Sequence, residues 1–325
     1  MADAALLRGP GAGASPLVTG YHGIHRDLEA ALADFTGFDA VALFPCGYQA
    51  NLAVGQGLLE RGRPVLADRL NHASLNDGMR LAGARIIRFS HADGADAERR
   101  LTDATTMIAS DGVFSMDGDL APLAELTRLG REHDIPLWID DAHGFGVLGR
   151  QGRGVLEHLD ITPAEIDIFV ATFGKALGTA GAFVAGDRAL IEHLENVARP
   201  LIFSTAPSPA LCAATLKALQ KTAAEHWRRE RLAEHIDRFR RRCQATGIPL
   251  FKSFSPIQII PVADNQRAVE LGSALAQAGF AVAAIRPPTV PAGSARLRIS
   301  LSSAHQPQDI DRLVEHLAEL IHLTE

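Results

Sequence analysis

The sequence predicts an α/β protein with a mostly parallel sheet covered by helices, followed by a smaller C-terminal α+β domain. Short unbroken apolar runs recur at residues 41–44, 65–67, 86–89, 107–109, 136–140, 168–171 and 182–185. Runs of that length without polar alternation suit strands buried on both faces. Helix-period segments separate them. Residues 25–35 carry Leu28, Ala31, Leu32 and Phe35 on one stripe that stops at Gly37, and 48–59 and 123–133 also read as helices. Alternation of this kind builds a parallel sheet with helices on its faces. After Pro209 the pattern changes to a long helical region, 211–244, and then to strands near 257–262, 280–284 and 297–301 between helices 268–277 and 309–323. The expected division is a large α/β domain, 1–207, and a small α+β domain, 208–325.

Composition narrows the function classes. Among 325 residues, 47% are hydrophobic and 22% charged, with a formal net charge of -6. That balance is ordinary for a soluble globular protein and lacks the basic surplus of a nucleic-acid binder. The arginines at 228, 229, 231, 238, 240, 241 and 242 alternate with Glu230, Glu234 and Asp237 at helical spacing, as on a solvated helix face. Cys46, Cys212 and Cys243 form no CxxC pair and imply no disulfide framework. No apolar run is long enough to span a bilayer, and the N-terminus lacks the pattern of a signal peptide. The expected location is the cytoplasm.

Common phosphate and metal motifs fail on inspection. Residues 144–149 fit GxGxxG but run into Arg150-Gln151-Gly152-Arg153-Gly154, a poor helix start, so a loop is expected rather than a dinucleotide site. Gly174-Lys175 is no P-loop, because Phe169 stands at the first glycine position and Ala176 replaces the needed hydroxyl residue. His22 and His25 lack further ligands at metal spacing, so no metal is expected.

The strand ends carry the chemistry. Asp140, Asp141 and His143 follow one predicted strand, and Thr172 and Lys175 another. Asn71, His72 and Ser74, then Asp111 and Ser115, and finally Cys46, Gly47 and Tyr48 follow three more. Singly, each has an ordinary explanation as a cap, a turn residue or a solvated charge. Together they bring polar groups to the edge where open α/β sheets bind ligands. That set suits pyridoxal 5'-phosphate (PLP). PLP needs a lysine for its Schiff base, an acid for its pyridinium nitrogen and a helix N-terminus for its phosphate.

The segments GYHGIHRDLEAALADFTG, FPCGYQAN, NHASLNDG, DGVFSMDGDLAPL, IDDAHGFGVLG, TFGKALG, FSTAPSP and ARLRISLSSAH occur in this order. In that order they resemble the α-oxoamine synthases, fold-type I PLP enzymes that condense an amino acid with an acyl thioester and release CO2. The resemblance runs from about Gly9 to the C-terminus. It implies that Lys175 carries PLP, Asp140 pairs with the pyridinium nitrogen, His143 with the ring hydroxyl, and His72 stacks on the ring beside Ser115. It further implies that Gly47, Tyr48 and Thr172 hold the phosphate, with Thr205 reaching the phosphate of a neighbouring subunit in a homodimer with shared active sites. Arg298 is implied to bind the amino acid carboxylate, with Arg286 and Thr289 on the substrate side.

Residues 285–305 most resemble the branch that joins L-alanine to a pimeloyl thioester, carried by CoA or carrier protein, for biotin synthesis. The alternatives are a glycine- or serine-using member and a non-catalytic partner subunit. The presence of Lys175, Asp140, His143 and His72 counts against the latter. Two departures stand out. The family begins several dozen residues earlier, which leaves a fragment, a misplaced start or a natural short form as readings. It also often has Arg after the serine where this chain has Ser15-Pro16.

Overall fold

A computed structural model describes residues 1–322. The chain divides into two compact units, Met1–Val113 with Leu120–Glu225, and Phe114–Asp119 with the chain from His226 onward.

The first unit is built on a seven-stranded sheet. Its strands are β1 (Ala40–Phe44), β2 (Pro64–Asp68), β3 (Arg85–Phe89), β4 (Met107–Asp111), β5 (Leu137–Asp140), β6 (Ile168–Thr172) and β7 (Ala182–Gly186), in the order β1-β7-β6-β5-β4-β2-β3. The neighbours from β6 through β5, β4 and β2 to β3 are parallel, and β7 is antiparallel to both β6 and β1. The unbroken apolar runs are explained by burial: every residue of β2, β4, β5 and β7 is buried. Trp138, Phe44, Val65 and Ala109 belong to one core cluster with residues from the covering helices. Apolar patterning does not distinguish strand direction, so the reversal at β7 is a finding of the structure. The link 173–181 is too short for the crossover that a parallel neighbour requires.

The second unit holds β8 (Ile257–Ala263), β9 (Ala283–Ile285) and β10 (Ala295–Ser300) in an antiparallel sheet, order β8-β10-β9. Leu297, Ile299, Leu271, Leu275, Val314 and Leu317 form its core. β9 begins later than the expected 280–284. Phe280 is used instead to close the preceding helix, its N–H donating to the Leu275 carbonyl at 2.9 Å past Gly279 at φ 90°.

The expected helix over 211–244 is two helices, Pro209–Ala224 and Trp227–Ala245. The first packs on the helix Gly23–Thr36 and belongs to the large unit, so the units part after Glu225 rather than after 207. The final helix, Pro307–His322, matches the expected 309–323 except at Leu323, which lies outside the described residues.

One close contact ties two helices of the first unit together. The helices Gly47–Leu58 and Ala73–Leu81 cross at Gly55 and Gly78, so closely that a Cβ on Gly55 would stand 2.4 Å from the Gly78 backbone. Gly55→Ala is therefore expected to destabilise the protein by about 1–3 kcal/mol, the cost of overpacking a filled interior. Gly11→Ala, where a Cβ meets nothing within 4 Å, is expected to be near neutral. Urea unfolding of both variants checks this, and equal midpoints would contradict it.

Candidate active site

Parallel strands end on a common edge, and the expected residues follow from that topology. β1 leads into the helix Gly47–Leu58, β2 into His72, β4 ends at Asp111, β5 ends at Asp140, and β6 leads into the loop of Lys175. The residue pairing of β4 with β5 sets Asp111 directly beside Asp140.

The helix Gly47–Leu58 starts without a side-chain cap: Cys46 precedes it and makes no capping hydrogen bond. Its first backbone N–H groups remain available to an anion. Thr172 stands next to this end, its Cβ 3.8 Å from where a Gly47 Cβ would be, and its hydroxyl donates to the Gly181 carbonyl at 2.9 Å. The Tyr48 phenol donates to Asp77, which lowers the Asp77 pKa and raises that of Tyr48.

Lys175 sits at the tip of the β6–β7 hairpin. The turn is closed by Phe173 N–H to Gly181 at 2.9 Å and Gly178 N–H to Lys175 at 3.1 Å. The Lys175 amine lies 2.7 Å from His143 Nε2. His143 is carried by the loop after β5, which is anchored by Asp141. The buried Asp141 carboxylate accepts the Val155 N–H at 2.8 Å. Gly144 and Gly154 make room for it, since a Cβ would fall 2.1 Å from its oxygens at the first and 1.9 Å at the second. The 144–149 segment is thus a loop wrapped on Asp141, as its sequence predicts.

The electrostatics favour an added cation. Asp111, Asp140 and Asp141 are all buried. Burial pushes the Asp111 carboxyl well above the usual range, and the neighbouring Asp140 pushes it further. Burial likewise raises Asp141, again with a contribution from Asp140, while Lys175 lowers both. Carboxylates so placed stabilise a positively charged ring nitrogen. An uncapped helix start, a lysine on a tight hairpin and a buried acid cluster are the donor set that PLP requires, and the residues present fit it.

Sequence reasoning left Asn51 without a role. Its side-chain nitrogen donates to Asp140 Oδ2 at 2.5 Å and to Ser74 Oγ at 2.8 Å. The signal was its spacing: one turn beyond Gly47, on the face that the Gly55–Gly78 contact presses against the next helix. Ser74 Oγ in turn lies 2.7 Å from His72 Nδ1, and His72 N–H donates to Asp111 Oδ2 at 2.6 Å. His72, Asp140, His143, Lys175, Gly47, Tyr48 and Thr172 thus all lie on strand-end segments of the first unit. Thr205 is exposed between the helices Arg199–Ile202 and Pro209–Ala224.

The second unit carries the remaining residues. Arg298 lies on β10, where its Nε donates to the Ser115 carbonyl at 2.7 Å and its Nη1 to Ser300 Oγ at 2.8 Å; burial lowers its pKa. Arg286 and Thr289 share the turn after β9, joined by Thr289 N–H to the Arg286 carbonyl at 3.1 Å.

Residues 2–317 match the family of class I and II aminotransferases. The chain belongs to that family. Like other members of the family it is a PLP-dependent enzyme, here of the α-oxoamine synthase type. It is 50% identical over 324 residues to the 8-amino-7-oxononanoate synthase of Alkalilimnicola ehrlichii, covering 99% of this chain and 83% of that protein. Among solved structures of the family fold, it resembles a lysine-to-alanine variant of the serine palmitoyltransferase from S. paucimobilis with a bound PLP–myriocin aldimine. That match has a TM-score of 0.94 at 31% identity and covers 99% of this chain and 82% of the other. The 8-amino-7-oxononanoate synthase of Francisella tularensis matches with a TM-score of 0.88 at 29% identity, covering 99% and 92%. Among the described residues no helix is long and apolar enough to cross a membrane.

The raised Asp111 carboxyl has a pH consequence for the cofactor-free protein. A group whose folded pKa lies above its unfolded value contributes stability at low pH and loses that contribution as pH rises toward the folded value. Asp111→Asn keeps an acceptor for the His72 N–H but cannot ionise. Its stability relative to wild type is expected to rise from about pH 4, the ordinary carboxyl range, to about pH 8. Urea titrations across that window check this, and a pH-independent difference would contradict it.

Proposed function

We propose that this enzyme condenses L-alanine with a pimeloyl thioester, releasing CO2 and the thiol of CoA or carrier protein, to form 8-amino-7-oxononanoate for biotin synthesis. The observation that carries the reading is the 50% identity, over nearly the whole chain, to a protein of that name. A serine donor is the second reading, favoured by the high TM-score to serine palmitoyltransferase. Identity weighs more, because a shared backbone hosts many substrates and side chains choose among them.

In this reading Lys175 would hold PLP covalently. Asp140 would face the ring nitrogen, His143 the ring hydroxyl and His72 the ring face, beside Ser115. Gly47, Tyr48 and Thr172 would hold the phosphate, with Thr205 supplied by the second copy in a homodimer. PLP, when bound, supplies an electron sink for charge developing at the amino acid Cα. Released when the substrate amine takes its place, the Lys175 amine would remove the Cα proton and later return one. His143, 2.7 Å from that amine, is within reach to exchange a proton with it. The Asp140 carboxylate keeps a proton on the group it faces. Arg298 would bind the substrate carboxylate, a pairing that its planar fork suits, and Arg286 and Thr289 would line the substrate side.

The test is the visible absorption spectrum of the PLP-loaded protein with L-alanine, glycine and L-serine added separately. The band is expected to shift with L-alanine at the lowest concentration. A shift with L-serine or glycine in preference would keep the enzyme class and overturn the substrate.

A further inference from the structure

We propose that Asn51 and Ser74 are positioning residues that fix His72 as the imidazole tautomer protonated at Nε2, with Asp140 setting the direction of the chain. This rests on the assignment of His72 and Asp140 to the PLP site.

The direction follows from counting hydrogens. The Asn51 side-chain nitrogen has two, and two acceptors stand at hydrogen-bond distance: Asp140 Oδ2 at 2.5 Å and Ser74 Oγ at 2.8 Å. Reversing the amide would set its oxygen against the carboxylate oxygen at the same short distance, acceptor against acceptor. The orientation kept is not free of cost, because Asn51 Oδ1 is buried without a partner. The amide therefore turns toward Asp140 at the expense of its own carbonyl.

Ser74 Oγ, having accepted from Asn51, has a single hydrogen to donate. His72 Nδ1 lies 2.7 Å from it. The Ser74 backbone N–H is aimed at the same nitrogen at 3.3 Å. A backbone N–H can only donate, so Nδ1 carries its lone pair, the Ser74 hydroxyl turns its hydrogen to the same nitrogen, and the ring proton is on Nε2. The main chain at His72 is fixed separately by its N–H to Asp111. His72, itself exposed, thus offers an N–H donor from the far end of its ring in a set orientation. Such a donor suits an anionic oxygen, a substrate carboxylate or a thioester oxygen gaining charge, and a ring protonated at Nδ1 could not offer it.

The test is 15N NMR of the PLP-loaded protein labelled in its histidine rings, at about pH 8.5, above the ordinary imidazole range. The His72 signals are identified by their loss in His72→Gln. Wild type is expected to show one tautomer, with Nδ1 unprotonated. Ser74→Ala, which loses the hydroxyl at 2.7 Å and keeps only the longer backbone contact at 3.3 Å, and Asn51→Ala are expected to give a mixture of both tautomers, and Ser74→Thr, which keeps the hydroxyl, to restore the single one. A protonated Nδ1 in wild type overturns the inference, as does an unchanged His72 signal in Ser74→Ala that retains its visible band. A wild-type protein with no PLP band would overturn the site assignment instead, and the tautomer measured in it still decides this inference.

Discussion

The Asp140 carboxylate, buried at the end of the central strand β5, is the group on which the arrangement of the site depends. It lies beside a second carboxylate, Asp111, by strand register, and next to a third, Asp141, in the chain. Burying like charges together is unfavourable unless something positive or hydrogen-bonding compensates. Each carboxylate has its own answer. Asp141 accepts the Val155 N–H of the loop it organises through Oδ2, leaving Oδ1 buried without a partner, and Asp111 takes the His72 N–H. Asp140 takes Asn51 and the Ala142 N–H, which lies 2.9 Å from its other oxygen. The amine of Lys175 acts on both Asp111 and Asp141. The same geometry leaves room in the charge balance for a cationic ring nitrogen.

The backbone features nearby serve this cluster. The close Gly55–Gly78 crossing brings Asn51 beside Ser74, and so joins the helix that begins uncapped at Gly47 to the helix that begins at His72. The reversal at β7 turns the segment after β6 into a tight hairpin, which carries Lys175 out to His143. Neither device adds a reactive group. Each sets the distance between groups that separate strands deliver, and in catalysis placement to within a fraction of an ångström governs rate.

Much of this was legible in the sequence, because buried parallel strands show as unbroken apolar runs and their ends show as abrupt polar residues. All seven strands of the large sheet fall within a residue or two of the expected segments. The helix interruption at Glu225–His226 was not legible, because no proline or glycine marks it. The displaced β9 reflects a helix cap that competes for Phe280, a local choice that periodicity does not reveal. Asn51 escaped notice because its partners, Ser74 and Asp140, lie far along the chain and meet only through tertiary packing. Its spacing, one turn beyond Gly47 on a face of small residues, was the hint the sequence held.

The central claim, that Lys175 carries the cofactor, is open to a direct measurement. The chain has four lysines, Lys175, Lys217, Lys221 and Lys252, so borohydride reduction of the PLP-loaded protein followed by peptide mass mapping has few possible outcomes. The account predicts stoichiometric modification at Lys175 alone. Modification at Lys217, Lys221 or Lys252 instead, or no modified lysine in a protein that has taken up PLP, would contradict it.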